Sequence, residues 1–418
     1  MAGSIELGCL TMGMPIMPRH ILLAAAAAWS ATALVLPART ARRPAIRMAA
    51  FEPGVTKTDE RVTVVGASGY IGKAVVRECV RRGYATTAVV RDASKASFDG
   101  ATTVGAECAD LGGISRAFET AKTDVVVCCL ASRSGTEADS LLVDYEASVN
   151  CLEAARKCGA RHYVLLSAFC VAKPDLSFQT AKLKTEAALA GQGDVTYSVV
   201  RPTAFFKSLS GQVEILKGGG PFVYFDLGGD RSATCNPISE ADLAMAIVDC
   251  VADPARSSKG GEPIWNVGGP DAGISMKDQG ELIATAIAEV DGEPRKEPWL
   301  LGVPIGVFDG IVGAIKWAYD LTGSPKVKDA WELGQIGRYY AVEDMLTTAP
   351  AEKYGKMSLK EHYKQVAKDG QEYDPYTTIF AKAPTAAMKA AAPAAERTAD
   401  APDADAVGVG TPLFGKKK

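Results

Sequence analysis

Residues 61–72, RVTVVGASGYIG, constrain this 418-residue chain more than any other stretch. Val62, Val64 and Val65 read as a short buried strand, the glycines Gly66, Gly69 and Gly72 follow at once, and residues 73–82 carry a helical pattern. Strand, glycine turn and helix in that order form the context of a dinucleotide fingerprint. Without side chains the backbone can turn tightly and approach a pyrophosphate, whose charge is met by amide N–H groups and the positive end of the helix dipole. The spacing is G-x-x-G-x-x-G, not the commoner G-x-G-x-x-G. Alone, such a triplet reads equally as a flexible loop; the flanking strand and helix favour nucleotide binding. Ser68, Tyr70 and Ile71 complete the candidate cofactor-binding turn.

From Arg61 the pattern alternates between strand and helix, as in a parallel sheet covered on both faces. Strands are expected at residues 85–91, 103–107, 124–130, 162–167 and 195–201. Asp139 is placed to cap a helix running to residue 157, with Leu141, Tyr145, Val149 and Leu152 as its core face. Six strands with intervening helices predict an α/β fold, a doubly wound parallel sheet of Rossmann type over residues 51–202. Beyond Pro202 the pattern breaks. Residues 203–236 mix glycine, aromatic and short apolar runs; Ser239 with Asp242, Ser275 with Asp278, and Ser358 with Glu361 are spaced to open helices, and residues 264–267 read as a short strand. Residues 203–381 therefore predict a smaller, mostly helical C-terminal substrate-binding lobe over the carboxyl edge of the sheet.

The two ends differ from this body. No acidic residue lies between Glu6 and Glu52, whereas Arg19, Arg39, Arg42, Arg43 and Arg47 do, among many alanines, serines and threonines. That composition suits an organelle transit peptide, so residues 1–50 are expected to be a targeting peptide, either a two-part plastid signal or a plain transit peptide, and with the resemblance given below a chloroplast or plastid one. The apolar run at 21–36 is shorter than the roughly 20 residues that span a bilayer. The tail at 382–418, rich in Ala, Pro and Asp, cannot build a core and reads as disordered. A net charge of -3 offers no basic field for nucleic acid. The ten cysteines form no C-x-x-C pair and several fall in apolar runs, so buried reduced thiols are expected; with only three scattered histidines, no metal site is predicted.

Arg91 ends the second strand, with Asp92 just beyond it. An arginine there suits the 2′-phosphate of NADPH, whereas a carboxylate would bind the 2′-hydroxyl of NADH; Arg91 favours NADPH, with Asp92 as the competing ribose contact. Ser167 closes the fifth strand, and Phe178-Gln-Thr-Ala-Lys182 opens the next helix, followed by Glu186. Together with the glycine triplet and Arg201-Pro202, this order resembles the extended and atypical short-chain dehydrogenases, which carry Tyr-x-x-x-Lys here. Lys182 alone would read as a solvated helix lysine paired with Glu186 at i,i+4. Phe178 has no proton to give, which argues against carbonyl chemistry. Either the chain binds NADPH without catalysis, or it reduces a bond whose developing charge spreads into the substrate.

Over residues 61–380 the chain further resembles the plant-type divinyl chlorophyllide 8-vinyl-reductases, atypical members of that superfamily with NmrA-like relatives. The likeness rests on VVRPTAFFKSLSGQVEILKGG (199–219), NPISEADLA (236–244), NVGGP (266–270) and IGRYYAVEDML (336–346). It implies NADPH-dependent reduction of an 8-vinyl group to ethyl on a chlorophyllide-type tetrapyrrole, an oxidoreductase of chlorophyll biosynthesis. A vinyl group conjugated to a macrocycle accepts hydride while charge delocalises into the ring, so no acid at residue 178 is needed. The resemblance implies that Lys182 holds the nicotinamide ribose, with Ser167 and Phe178 near the nicotinamide as the catalytic set. Phe205, Phe206 and Lys207, after the sixth strand, are suggested to line the substrate side, with Lys207 facing a tetrapyrrole carboxylate; a core role for both phenylalanines stays open. Residues 303–319, with Trp317, read as a helix packed in the second lobe or laid on a plastid membrane surface. A redox-sensing NmrA-like regulator and an isoflavone-reductase-like enzyme remain the alternatives.

Overall fold

The computed structural model describes residues 59–371 apart from residue 230. The expected targeting peptide at 1–50 and the tail at 382–418 lie outside the described residues. The apolar run of the opening stretch forms β1 (Arg61–Val65), and the glycine turn leads into α1 (Tyr70–Arg81). There follow β2 (Ala85–Val90), β3 (Thr102–Gly105), α2 (Leu111–Ala121) and β4 (Val125–Cys128). Helix α3 is built from Glu137–Ser140, a π-helical turn Leu141–Ala147, and Ser148–Cys158. Then come β5 (His162–Leu166), α4 (Ser177–Ala190) and β6 (Thr196–Pro202).

These strands are parallel, in the order β3-β2-β1-β4-β5-β6, and a seventh from the distant second half joins at the β6 edge. Alternating residues point to opposite faces, as the period of a strand requires. Val62, Val64, Val125, Val127 and Val164 meet α1 on one face, while Val65, Val126, Cys128, Tyr163 and Leu165 meet α2 and α3 on the other. Strand order reverses between β1 and β4, so the crevice at that switch point opens directly beside the glycine turn.

In the second half α5 (Val213–Lys217), β7 (Phe222–Asp226), β8 (Thr234–Cys235) and α6 (Glu240–Ala252) precede β9 (Ile264–Val267). Beyond them lie β10 (Ile274–Ser275), α7 (Met276–Asp291), β11 (Leu300–Pro304), α8 (Ile305–Thr322), α9 (Pro325–Val342) and α10 (Leu359–Asp369). Ser239, Ser275 and Ser358 each accept a hydrogen bond from the backbone N–H three residues on, so all three capping signals are used. A second core gathers Phe206, Phe222, Tyr224, Ile283 and Tyr363 between α5, β7, α7 and α10.

The expected division at residue 202 is crossed twice. Helix α6 packs beside α1 through Leu243, Ile247 and Val248, and β9 supplies the seventh strand through its pairing with β6. An apolar helix and the Val267 end of β9 find burial where the large sheet already offers a surface, so the chain returns to it.

Two local expectations are corrected. Asp139 does not cap α3, which starts earlier; its carboxylate instead accepts from the Ser134 backbone N–H and hydroxyl, at 2.8 Å each, and so ties down the loop after β4. Of the expected core face Leu152 is buried and Tyr145 and Val149 are half-buried, but Leu141 is 41% exposed, and Asp144, Ala147, Ser148 and Cys151 also point inward. The π-helical turn at Leu141–Ala147 inserts an extra residue and rotates the face on which a regular period had placed the apolar side chains.

The nine described cysteines are free thiols, and all but half-buried Cys158 are buried. His162 is a core residue of β5, bonded to Thr196 at 2.8 Å and Ser198 at 3.1 Å, and burial pulls its imidazole down to about 4. Helix α8 buries only Phe308 and Val312. Its packing against the second lobe is therefore partial, with Trp317 67% and Leu321 72% exposed. No helix among the described residues is long and apolar enough to cross a membrane.

Candidate functional site

Gly66 stands at the end of β1 with φ +71°, and a Cβ on it would lie 2.8 Å from the Cys129 carbonyl oxygen beyond β4. At Gly72 a Cβ would lie 2.1 Å from the Gly66 oxygen, so α1 can start where it does only with glycine at both positions. Gly69 is the residue before the helix, and no side chain caps the first turn. No acidic residue occupies that turn. The first turn of a helix has no intrahelical acceptors for its backbone N–H groups, and a first turn without a capping side chain or an acid is the arrangement that receives a phosphate. The Ile71 side chain is core and contributes only its backbone here. A dinucleotide therefore fits this crevice on geometric grounds.

At the tip of β2, Arg91 is exposed. Asp92 is occupied: its carboxylate accepts from the Ser94 backbone N–H at 3.0 Å and hydroxyl at 2.6 Å, and Lys95 lies 3.5 Å away. The Ser94 hydroxyl, the Ser94 N–H and Lys95 hold it below the ordinary carboxylate range. Of the two ribose candidates, Arg91 is the one not committed to this turn.

Lys182 does not pair with Glu186. It is buried, with its Nζ 2.9 Å from Asp144 Oδ1 on α3 and 3.5 Å from the Leu166 carbonyl at the end of β5. Burial alone would pull this ammonium down, but the Asp144 carboxylate outweighs it and leaves the pKa raised. Glu186 instead accepts from the Ser167 hydroxyl at 2.6 Å and forms an ion pair with Arg201. The solvated i,i+4 pair expected for an isolated lysine is thus replaced by two buried ones. The Arg201-Pro202 signal at the end of β6 has a physical meaning: Arg201 neutralises the carboxylate that holds Ser167.

Asp144, the partner of Lys182, is the residue of this cluster missed in the sequence. Its signal was a carboxylate at an inward position of α3, hidden because the regular helical period placed that face elsewhere. Thr185 of α4 donates to the Asp144 carbonyl at 2.7 Å, so the π-helical turn and the Lys182 helix are tied at the same residue. Phe178 is half-buried, packed on Cys170 and Leu176 and on Tyr339 of α9.

The three residues after β6 part company. Phe205 sits edge-on to Tyr70 with ring centroids 6.2 Å apart, and the Lys207 Nζ lies 4.9 Å over the Tyr70 ring. The Tyr70 hydroxyl donates to Glu240 at 2.6 Å, joining the glycine turn to the start of α6. Phe206 points the other way, fully buried in the second core against His362. The suggestion that it lines the substrate side is corrected: Phe206 opens the turn Phe206–Leu209, which carries its ring into the second core, the core role left open above.

A family model described as NAD(P)H-binding matches residues 66–254. Solved structures of similar fold include Escherichia coli quinone oxidoreductase QOR2 with NADPH, at TM-score 0.52 and 16% identity over 73% of this chain and 99% of that one. Bordetella bronchiseptica WbmH with NAD+ has TM-score 0.51 and 17% identity over 74% and 99%. Both show the Rossmann-type fold. Among curated proteins, divinyl chlorophyllide a 8-vinyl-reductase, chloroplastic, of Arabidopsis thaliana is 41% identical over 75% of this chain and 78% of its own length. The proteins of the same name from Oryza sativa subsp. indica and Zea mays are 40% and 39% identical, over 80% and 86% of their lengths. With identity at this level across both the nucleotide crevice and the second half, the chain belongs to the divinyl chlorophyllide a 8-vinyl-reductase family.

Proposed function

We propose that this chain is a chloroplast oxidoreductase that uses NADPH to reduce the 8-vinyl group of a divinyl chlorophyllide-type tetrapyrrole to ethyl. The observation that carries the reading is the nicotinamide-side site itself: a charged, buried Lys182 one helical turn from Phe178, which has no hydroxyl to serve a carbonyl oxygen. A conjugated vinyl group needs none, because charge that develops on hydride addition spreads into the macrocycle. Bound NADPH supplies the hydride, and a proton completes the ethyl group.

The protein's own residues bind and orient. Backbone N–H groups of the turn containing Gly66, Ser68, Gly69 and Gly72 receive the pyrophosphate, Arg91 the 2′-phosphate, and Lys182 the nicotinamide ribose. Ser167 has its hydroxyl proton committed to Glu186, so its oxygen is left as an acceptor and it helps to position, not to protonate, what binds beside it. Phe205 and Lys207 present a ring and a cation beside the turn, suited to a flat substrate with a carboxylate.

The test is purified protein with NADPH and divinyl chlorophyllide, read by the spectral shift of the pigment and by NADPH oxidation. Binding of NADPH without its oxidation would replace the enzyme reading by that of a non-catalytic NADP-binding regulator. In the same assay Arg91→Ala is expected to weaken NADPH by about tenfold or more, the worth of a charged contact, and to leave NADH unaffected. Equal loss with both cofactors would remove Arg91 from the 2′-phosphate.

Trp317 and Leu321, one turn apart on α8 and both exposed, are suited to peripheral contact with a plastid membrane surface. Replacing Trp317 by Ser is expected to reduce co-sedimentation with vesicles of plastid lipid several-fold. Unchanged co-sedimentation would sink the assignment of this face.

A further inference from the structure

The pair of Lys182 and Asp144 implies more than a place for the cofactor. An ammonium one helical turn from a phenol draws down the phenol's pKa, and that is how a lysine prepares a tyrosine to serve as an acid and base. Here the position one turn before Lys182 holds Phe178. The ammonium is nevertheless buried, and a buried charge without a partner costs several kcal/mol. Its partner is Asp144, 2.9 Å away, with side chains only 10% and 1% exposed. Asp144 is also held from other sides: its Oδ2 accepts from the Ser132 backbone N–H at 3.2 Å, and Thr185 donates to its carbonyl. This carboxylate enters the site because the π-helical turn directs it inward.

We propose that Asp144 is a positioning residue that consumes the charge of Lys182, so that the lysine serves as a fixed ribose-binding group and the site is closed to phenol-based acid catalysis at position 178. Loss of the tyrosine and presence of the carboxylate are then two parts of one arrangement. Restoring a hydroxyl at 178 alone would not restore an acid, because the field it needs is already cancelled. The ribose role of Lys182 belongs to the function proposed above, but the cancellation of its charge does not depend on any substrate.

The surroundings of residue 178 make this measurable. From the segment after β5 it is faced by Cys170, and from α9 by Tyr339 with Tyr340 beside it. Burial raises the thiol of Cys170 and pushes the phenol of Tyr339 up to about 12, so these groups stay neutral over the working range. Glu186 is paired with Arg201, and the exposed Lys173 with Glu343. Among the described residues the buried ion pair one helical turn from residue 178 is that of Lys182 with Asp144, and substitution there changes the local field.

The experiment is an ultraviolet tyrosinate titration of the full chain carrying Phe178→Tyr, as a difference against the parent, alone and combined with Asp144→Asn. The introduced phenol is expected to ionise at or above about 10 in the single variant and at least about one pH unit lower in the double variant, a tenfold change in its ionisation constant. A phenol already depressed in Phe178→Tyr alone would overturn the proposal without any change at Asp144, so the test survives if the double variant fails to fold. Equal titration of the two variants, with melting temperatures showing both folded and the nitrogen-15 shift of Lys182 showing its ammonium still charged in both, would overturn it as well. Neither readout uses pigment or NADPH, so failure here and failure of the vinyl-reductase reading are distinguishable.

Discussion

Lys182→Ala is expected to lose NADPH binding and turnover together, by roughly 10- to 100-fold in affinity, the worth of one charge-assisted contact of about 1.5–3 kcal/mol. It is also expected to lower the melting temperature, because Asp144 is left as a buried carboxylate without its ammonium. Removing one partner of such a pair costs about 3–5 kcal/mol, more than the pair contributes when intact. The two losses separate in the double variant Lys182→Ala with Asp144→Asn. Stability should return there, since no unpaired charge remains, while NADPH affinity stays low. Calorimetric binding and thermal melting of both variants make the check. Near-parental affinity in the single variant would take Lys182 out of the cofactor site.

Alanine at Gly72 and alanine at Gly69 are expected to fail in different ways. The Cβ at Gly72 meets backbone, the Gly66 oxygen, at 2.1 Å. Backbone cannot rotate away as a side chain does, so α1 must move off the sheet at a cost of about 1–3 kcal/mol or more. At Gly69 the same oxygen lies 3.2 Å away and the backbone already has the φ of an ordinary residue, -70°. Gly69→Ala should therefore keep its melting temperature within a few degrees. Its methyl group projects into the approach to the first-turn N–H groups, and NADPH should bind about tenfold or more weakly. If Gly69→Ala binds NADPH as the parent does, the pyrophosphate does not lie against this turn.

Much of the sheet could be read from the sequence because its determinants are local. Val62, Val64 and Val65 before Gly66, and the unbroken run around Val125–Cys128, are sequences that only a strand buried on both faces accommodates. The Ser-x-x-Asp and Ser-x-x-Glu caps were equally legible, because each acts within three residues of itself. What was lost depends on groups far apart in the chain. Nothing near Ile264 says that it lies beside Val199, and a carboxylate at 144 shows no link to a lysine at 182. The start of the α3 face, at Leu141, was misread for a different reason, since one π-helical turn defeats a fixed period, while Leu152 beyond it is buried as the period required. At the site, the residue types at 167, 178, 182 and 186 were recognisable by order; which of them pair was not, because the i,i+4 neighbour Glu186 is drawn away by Arg201.

The return of α6 and β9 to the sheet has a consequence for how this protein can be made and recombined. A ribosome must deliver residue 267 before the last position of the parallel sheet can be filled, and by then the whole stretch carrying Phe205 and Lys207 has emerged. The nucleotide-binding half is thus not a cassette that could be grafted onto another substrate half, or inherited without this one. Shuffling at residue 202 would strip a neighbour from β6 and the α6 layer from α1, so variation in substrate preference has to arise within a single cooperative body instead of by exchange of parts.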